Sequence, residues 1–303
     1  MPLLPERTSS LVLGATSLFG WAYLRRHPAA AGTAPRSCRT PLPARIRSAD
    51  AERPADWARL IDELRPELVV HAAGVCNVAR AERDPDWSWR VNVAATAALL
   101  DGLPTSCRLV YCSSDHVFGA GGPTPLSERS PVAPISVYGR CRVAAEELIR
   151  RRRPDALIVR AGLILGPSCD GRRGHIDWLR RRSARGLPMT VVADEWRHAV
   201  AADDLVDRLD AWLARGRSGL IHARSQLVDR PTLARRLLAG IDERAELHVA
   251  TRAEQAAPHL GRIDLVSEVD DLPPLPEPPV FKRFGDPGDD AGISPSCRAS
   301  PGL

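Results

Sequence analysis

The chain has 303 residues, 44% of them hydrophobic, which is enough for the core of one large α/β domain or of a domain with a smaller lobe. Its formal charge of +5 comes almost wholly from arginine, and the run Arg150–Arg153 predicts a solvated helix end rather than a nucleic-acid surface, because no aromatic residues or DNA-binding motif accompany it. Residues 1–8 lack the apolar region of a signal peptide and no stretch has the roughly 18 apolar residues of a membrane span, so the sequence predicts a cytoplasmic protein that binds neither nucleic acid nor membrane.

The cysteines argue against two kinds of site. There are seven of them, scattered, odd in number and without CxxC spacing, which is untypical of a disulfide framework or a zinc site. We therefore expect no bound metal. Cys141, three residues after Tyr138, is predicted to be a passive small side chain.

Short apolar runs alternate with helical patterns over the first 165 residues. The predicted strands are 9–13, 68–71, 108–112 and 156–161, and the clearest predicted helices are 57–64, 86–102 and 138–151. Residues 31–48 are rich in proline and arginine, so the second strand expected there is poorly marked. The alternation predicts a Rossmann-type α/β domain over residues 9–165, a doubly wound parallel sheet covered by helices on both faces.

The pattern changes after residue 165. Residues 166–270 mix helices with short strands, which predicts a smaller C-terminal substrate-binding lobe interleaved with the sheet. Residues 271–303 are rich in proline with little periodicity, and residues 1–8 are short and polar. Both termini are therefore predicted to be mostly disordered.

A glycine-containing turn follows the first strand. The spacing Gly14-x-x-Ser17-x-x-Gly20, after a strand and before a helix, predicts that the backbone approaches the pyrophosphate of a dinucleotide at the N-terminus of the helix. The alternative is an ordinary strand-to-helix turn. On the first interpretation, Gly14, Ser17, Leu18, Phe19 and Gly20 bind a cofactor.

Tyr138 and Arg142 are spaced as i and i+4, which places them on one face of a predicted helix. The pair looks like the Tyr-x-x-x-Lys active site of short-chain dehydrogenases with arginine in place of lysine. A fixed cation lowers the pKa of a nearby phenol, and such a tyrosine can protonate a carbonyl oxygen while a nicotinamide delivers hydride to the carbon. We expect Arg142 to hold Tyr138 acidic without relaying a proton itself.

From residue 50 onward the resemblance to one family becomes specific. Ser113-Ser114-Asp115-His116-Val117-Phe118 is similar to the Ser-Thr-Asp-Tyr-Val-Phe segment of dTDP-4-dehydrorhamnose reductases, which are short-chain dehydrogenases of the extended type. The resemblance covers roughly residues 9–250, and its other segments are Asp50, Pro66–Gly74, Ala81-Glu82, Asn92, Tyr138-Gly139 and Glu146. The chain departs from the family pattern at Ser17, His116 and Arg142.

The resemblance implies an NAD(P)-binding domain whose catalytic residues are Ser114, which binds the substrate carbonyl, Tyr138, the general acid, and Arg142. NADP(H) is the predicted cofactor and NAD(H) the alternative, because Arg36 or Arg39 can pair with a 2′-phosphate and no acidic residue ends the second strand. Besides the residues of the first turn, those implied in cofactor binding are Arg36, Asp50, Ala72, Ala73, Gly74, Tyr138 and Arg142.

A second segment, Arg197–Asp204, resembles the Arg-x-x-(Ile/Val)-x-Val-x-Asp pattern of nucleotide-sugar epimerases and dehydratases, in which the arginine grips the substrate diphosphate. Arg197 is therefore predicted to bind phosphate, the alternative being a surface or fold-supporting arginine. The predicted substrate site consists of Ser114, Asp115, His116 and Arg197. His116 is interpreted as a variation of the substrate pocket rather than as a second base.

These residues predict an NAD(P)H-dependent reductase of a nucleotide-linked 4-keto-6-deoxy sugar, with a nucleotide-diphosphate sugar as its partner. The resemblance to the family also implies a homodimer. One alternative is a non-catalytic NADP-binding regulatory or interaction subunit, like the regulatory β-subunit of methionine adenosyltransferase. The three departures from the family pattern, Ser17, His116 and Arg142, are substitutions expected in a protein that has lost catalysis. A second alternative, an epimerase or dehydratase, is less favoured because no glutamate follows Asp115.

Overall fold

The computed structural model describes residues 10–119, 124–242 and 245–278, and a seven-stranded parallel sheet forms its centre. In spatial order its strands are β10 (Gly219–Ala223), β6 (Leu157–Ala161), β5 (Arg108–Ser114), β4 (Leu68–His71), β1 (Ser10–Leu13), β2 (Ala31–Ala34) and β3 (Ile46–Ser48). The order of strands reverses between β1 and β4, the switch point at which doubly wound folds bind ligands. The predicted fold class is confirmed.

Helices cover both faces of the sheet. On one face lie α1 (Leu18–Arg26) and α8 (Ala202–Ala214), and on the other lie α2 (Pro54–Leu64), α5 (Ala95–Gly102) and α6 (Val137–Arg152). Val12 packs with the first group and Leu11 with the second, because side chains alternate along a strand. Burial of both faces explains the continuous apolar runs that predicted these strands.

The second strand, poorly marked in the sequence, is β2. Its residues, Ala-Gly-Thr-Ala, carry little hydrophobic signal. A Cβ on Gly32 would lie 2.9 Å from both the Cβ of Ala15 and a methyl group of Leu24. Small residues are therefore what α1 requires beneath it, and the strand is defined by packing rather than by hydrophobicity.

The helix predicted over residues 86–102 consists of three consecutive segments. These are α4 (Pro85–Trp89), a π-helical turn (Arg90–Ala94) and α5. Asn92 lies in the π turn, where its amide donates to the carbonyl of Ser88 at 3.0 Å and its side-chain oxygen accepts the N–H of Val75 at 3.1 Å. The helix predicted over residues 86–102 is present, but its π turn was not predicted, because residue periodicity does not reveal a single π turn.

The remaining elements form a smaller lobe beside the carboxyl ends of the strands. Its three-stranded sheet contains β7 (Leu163–Leu165), β9 (Trp196–Ala201) and β11 (Leu227–Asp229), and its two-stranded sheet contains β8 (Met189–Val192) and β12 (Leu247–Ala250). The lobe also holds α7 (Gly174–Ser183) and α9 (Arg230–Ala239), while α3 (Val78–Arg83) lies after β4. Among the helices that the structure describes, none has the length and apolar character needed to cross a membrane.

Residues 271–278 lead from the lobe back onto the central domain. Leu275 is buried in the core that contains α1 and α8, and its N–H donates to the carbonyl oxygen of Arg224 at 2.8 Å. Residues 1–8, and residues 279–303 of the predicted disordered tail, lie outside the described residues.

Candidate active site

A cavity of about 420 Å³ opens at the carboxyl ends of β1, β4 and β5, beside the switch point of the sheet. Ten residues selected from the sequence line it: Ser17, Leu18, Phe19, Ala72, Gly74, Ser114, His116, Tyr138, Arg142 and Arg197. The other selected residues do not line it: Gly14, Gly20, Arg36, Asp50, Ala73 and Asp115. The fold therefore brings most of the predicted cofactor and substrate residues to one place.

Gly14 and Gly20 shape the turn between β1 and α1. Gly14 has a φ of +86°, and a Cβ there would lie 2.6 Å from the backbone of Ala73. A Cβ on Gly20 would lie 2.3 Å from the carbonyl oxygen of Gly14. Both glycines are required by the close approach of this turn to its neighbours, whatever ligand binds above it.

Ser17 occupies the position at which the extended family usually has glycine. Its φ is −72°, which any residue adopts, and its Oγ accepts the N–H of Gly20 at 3.0 Å. This cap leaves the N–H groups of Leu18 and Phe19 without intrahelical partners at the start of α1. The first turn of α1 therefore fits the phosphates of a dinucleotide even though Ser17 departs from the pattern.

Arg142 connects two phenols at the end of β5. Its Nε donates to the oxygen of Tyr138 at 3.0 Å, and its Nη1 donates to the oxygen of Tyr111 at 2.8 Å and to the carbonyl of Cys112 at 3.3 Å. Its Nη2 lies near Gly74, where a Cβ would be 3.0 Å away, and has no hydrogen-bond partner among the described residues. Arg142 thus keeps one donor nitrogen for a ligand in the cavity that it lines.

The pKa of Tyr138 shifts in the direction opposite to the expectation. Burial raises the pKa of the Tyr138 phenol above its usual value, and this effect outweighs the opposing charge of Arg142 and a hydrogen bond with Ser114. The expectation that Arg142 makes Tyr138 more acidic than a free phenol was wrong in its net direction. Tyr138 is therefore a protonated donor in the free protein at neutral pH.

Ser114 ends β5 and begins the turn that contains Asp115 and His116. Its Oγ accepts the N–H of His116 at 3.2 Å and donates to Asp115 at 3.3 Å. The ring of His116 packs edge-on against Tyr138 with 5.2 Å between centroids, and burial lowers the pKa of His116 to about 4. His116 is therefore neutral at physiological pH, which agrees with its interpretation as part of the pocket wall.

Arg197 lies in the cavity wall with its charge already compensated. Its Nε donates to a carboxylate oxygen of the fully buried Asp115 at 2.7 Å, its Nη2 donates to the other oxygen, and its Nη1 donates to Glu195 at 3.2 Å. Two carboxylates thus hold the guanidinium that was predicted to grip a diphosphate. This geometry agrees better with the alternative of a fold-supporting arginine, which ties β9 to the turn after Ser114.

Comparison with known families identifies the chain. The family model of the RmlD substrate binding domain matches residues 8–261. The chain belongs to this family. A probable dTDP-4,6-dihydroxy-2-methyloxan-3-one 4-ketoreductase of Streptomyces antibioticus is 33% identical over 57% of this chain and 59% of the relative. The dTDP-4-dehydrorhamnose reductase of Salmonella typhimurium is 28% identical over 52% of each chain, so the match spans only half to three fifths of these relatives' length.

Solved structures of a dTDP-4-dehydrorhamnose reductase and of a UDP-glucose 4-epimerase share the fold. The dTDP-4-dehydrorhamnose reductase of Bacillus anthracis, solved in complex with NADP, has a TM-score of 0.73 at 18% identity and covers 89% of this chain and 95% of its own. The UDP-glucose 4-epimerase of Thermotoga maritima has a TM-score of 0.72 at 18% identity over 84% of this chain and 89% of its own. The architecture is therefore common to enzymes with different reactions, and only the site residues distinguish between them.

The cavity-lining residues that the sequence analysis did not select include four histidine, glutamate and arginine side chains: His175, Glu195, Arg230 and His259. Glu195 accepts a hydrogen bond from His259 at 2.8 Å, and although burial opposes ionisation, this bond and the charge of Arg197 lower the pKa of Glu195 to about 2. No motif marks these residues, since they come from separate elements that are far apart along the chain. The described residues contain no group of three or more His, Cys, Asp and Glu side chains that could hold a metal ion.

Arg36 and Asp50 lie outside the cavity on the β2–β3 side of the sheet. Arg36 follows the end of β2 with its side chain 52% exposed, and it forms an ion pair with Asp56 at 3.2 Å. One oxygen of Asp50 accepts the N–H of Glu52 at 3.3 Å. To bind a 2′-phosphate, as the sequence predicts, Arg36 would have to leave or share its pairing with Asp56.

Proposed function

We propose that this protein is an NAD(P)H-dependent reductase of a nucleotide-linked 4-keto-6-deoxy sugar. The observation that carries the proposal is the pairing of Tyr138 with a buried arginine beside Ser114, in the cavity at the switch point of an RmlD-family fold. The names of the Streptomyces antibioticus and Salmonella typhimurium relatives describe reductases of dTDP-linked keto sugars, which supports the same class of substrate.

In this mechanism the hydroxyl of Ser114 turns away from Asp115 and donates its proton to the ketone oxygen of the substrate. The Tyr138 phenol transfers its proton to that oxygen as charge develops on it, which leaves a phenolate. When bound, the reduced nicotinamide supplies the hydride to the carbonyl carbon. Arg142 stays protonated throughout and stabilises the Tyr138 phenolate through Nε, so the proton that Tyr138 loses must return from solvent.

The cofactor that we propose is NADP(H), with NAD(H) as the weaker alternative. The N–H groups of Leu18 and Phe19, which have no partners within their helix, suit the pyrophosphate. Nη2 of Arg142, which has no hydrogen-bond partner among the described residues, suits a ribose hydroxyl. Arg36 is the residue that we propose to bind the 2′-phosphate of NADP(H). No carboxylate, which would favour NAD(H), directly follows β2.

The test is NADPH oxidation in the presence of a dTDP-4-keto-6-deoxyhexose. We expect wild-type turnover, and a loss of at least about 100-fold in kcat for Tyr138→Phe, since general acid catalysis contributes roughly 10² to 10⁴. Full activity of Tyr138→Phe would overturn the mechanism. No turnover by wild type together with turnover by Arg142→Lys would show that the arginine makes an otherwise competent site inactive.

The second candidate is a non-catalytic dinucleotide-binding subunit. The hydrogen bonds of Arg142 to Tyr111 and Cys112 favour this candidate, because they restrict the movement of the guanidinium during a reaction. Tight NADPH binding without turnover of any keto sugar, in wild type and in Arg142→Lys alike, would support it. The ion pair of Asp115 with Arg197 disfavours the epimerase or dehydratase alternative, since it removes Asp115 from acid–base work.

A further inference from the structure

Arg230 is a cavity-lining arginine that differs from its neighbour Arg197 in its electrostatic environment. Strand β11 pairs antiparallel with β9, and the N–H of Arg230 donates to the carbonyl oxygen of Glu195 at 3.1 Å just beyond the last pair of the ladder. Arg230 therefore lies opposite Glu195, and Val228 lies opposite Arg197, with these side chains on one face. That face borders the cavity.

The guanidinium of Arg230 has no carboxylate partner within the described part of the chain. Glu195, the nearest candidate on that face, is held by Arg197 and His259 instead. Arg230 is also the first residue of α9, where the partial positive charge of the helix N-terminus adds to its own. Burial, with the charge of Arg197, lowers the pKa of Arg230 despite the opposing charge of Glu195.

His175 completes the arrangement. Its Nδ1 lies 3.3 Å from Nη2 of Arg230, and because arginine can only donate, Nδ1 is the acceptor and the ring proton is on Nε2. Burial, reinforced by the charges of Arg230 and Arg197, lowers the pKa of His175 well below its usual value, so the ring is neutral. His175 thus presents a fixed N–H donor beside the uncompensated cation, and both residues line the cavity.

Arg230 is partly buried. A partly buried cation without a counter-ion destabilises a fold, and an anion bound in the cavity would remove that cost. The guanidinium fork matches phosphate oxygens, and the neighbouring N–H adds a third donor. We propose that Arg230 and His175 form the subsite for the diphosphate group of a nucleotide ligand. Two ligands contain such a diphosphate, the nucleotide sugar and the dinucleotide cofactor. Both are ligands of the proposed function, and this inference rests on that function.

Calorimetric titration of the whole protein with dTDP, in the presence of excess NADP⁺, tests the subsite. Arg230→Gln should weaken dTDP binding at least about tenfold, the loss expected for hydrogen bonds to a charged group, while Arg230→Lys retains part of the affinity. The affinity of uncharged thymidine should not change. The control is Arg236→Gln, on the same helix, where Arg236 is half exposed and paired with Glu277, and dTDP binding should be unaffected.

The two sources of the diphosphate give different results. A loss of dTDP affinity in Arg230→Gln at unchanged NADP⁺ affinity assigns the subsite to the nucleotide sugar, and the reverse assigns it to the cofactor. Unchanged affinity for both ligands in Arg230→Gln, or no binding of either ligand by wild type, overturns the proposal. Because these are binding measurements, an absence of keto-sugar reduction would reject the proposed reaction without deciding on the subsite.

Thermal unfolding without ligand separates the subsite from a structural role. If Arg230 holds the fold together, Arg230→Gln lowers the Tm, whereas an uncompensated cation at a helix N-terminus predicts an unchanged or higher Tm. A lower Tm combined with unchanged ligand affinity overturns the proposal.

Discussion

The arginine at position 142 is accommodated by groups that a lysine would not reach in the same way. Its fork spans the phenols of Tyr111 and Tyr138, and its Nη2 fits against a glycine that has no Cβ to obstruct it. Tyr111 is fully buried, and burial raises the pKa of its phenol to about 12 in spite of the arginine. Arg142 is therefore part of a matched environment, and exchange for lysine changes more than the charge geometry.

Arg142→Lys should accordingly destabilise the protein by about 1 to 3 kcal/mol, the cost of leaving a buried polar group such as the Tyr111 hydroxyl unsatisfied. Tyr111→Phe in the lysine background should recover part of this loss, because it removes the orphaned hydroxyl. Chemical unfolding of wild type, both single variants and the double variant measures the coupling. Strict additivity of the two single effects would show that the Arg142–Tyr111 bond has no such role.

The raised pKa of Tyr138 predicts the pH dependence of reduction. The phenol must be protonated to act as the acid, and its pKa in the free protein lies above the usual value, so kcat/KM should stay level between about pH 7 and pH 9 and fall only at higher pH. The reverse oxidation requires the phenolate and should rise with pH over the same range. Initial rates in both directions measure this, and an alkaline limb near neutrality would contradict it.

At the scale of elements, the turn between β1 and α1 depends on a contact that only glycine permits. Gly20→Ala would place a Cβ 2.3 Å from the carbonyl oxygen of Gly14, so α1 must shift. We expect a destabilisation of at least about 1 to 3 kcal/mol, as for overpacking, and weaker NADPH binding. Gly102→Ala is the matched control, since its Cβ would lie 3.6 Å from the nearest side chain, and it should be neutral or slightly stabilising.

Helix α6 is attached to β6 through a buried ion pair. Glu146 and Arg160 are joined at 2.7 Å with side chains 4% and 3% exposed, and Ser113 of β5 donates to the same carboxylate. The pair fixes the helix that carries Tyr138 against β6, and the bond from Ser113 fixes it against the strand that carries Ser114. It therefore acts on the site through the positions of elements and not through contact with a ligand.

Arg160→Met should cost about 3 to 5 kcal/mol of unfolding free energy, because it leaves the Glu146 carboxylate buried without its cation. Adding Glu146→Leu should restore much of that loss, since no charge is then uncompensated. The surface pair of Arg47 and Glu63, with side chains 47% and 44% exposed, is the control, and Arg47→Met should cost less than about 1 kcal/mol. Equal losses at both sites, measured by urea unfolding, would contradict the argument.

At the scale of the whole molecule, the sequence predicted those strands and helices that a local hydrophobic pattern determines. The strand at residues 68–71 was placed at its observed bounds because both its faces are buried and its apolar run is continuous. The π turn around Asn92 and the small-residue strand β2 were missed or weakly marked, since neither changes hydrophobic periodicity. The position of Arg230 follows from the pairing of β11 with β9, and long-range pairing leaves no local signature.

The segment 271–278 joins the lobe to the central domain, and its contribution to stability can be measured. Leu275 is 5% exposed within the core of α1 and α8, so Leu275→Ala should cost about 2 to 5 kcal/mol through lost burial and a residual cavity. Val269, six residues earlier and 41% exposed, is the matched control, and Val269→Ala should change stability by less than about 0.5 kcal/mol. Because Leu275 packs into the core that contains α1 and α8, we expect a single cooperative unfolding transition that moves to lower temperature. A separate early transition would show instead that the segment detaches from the core by itself.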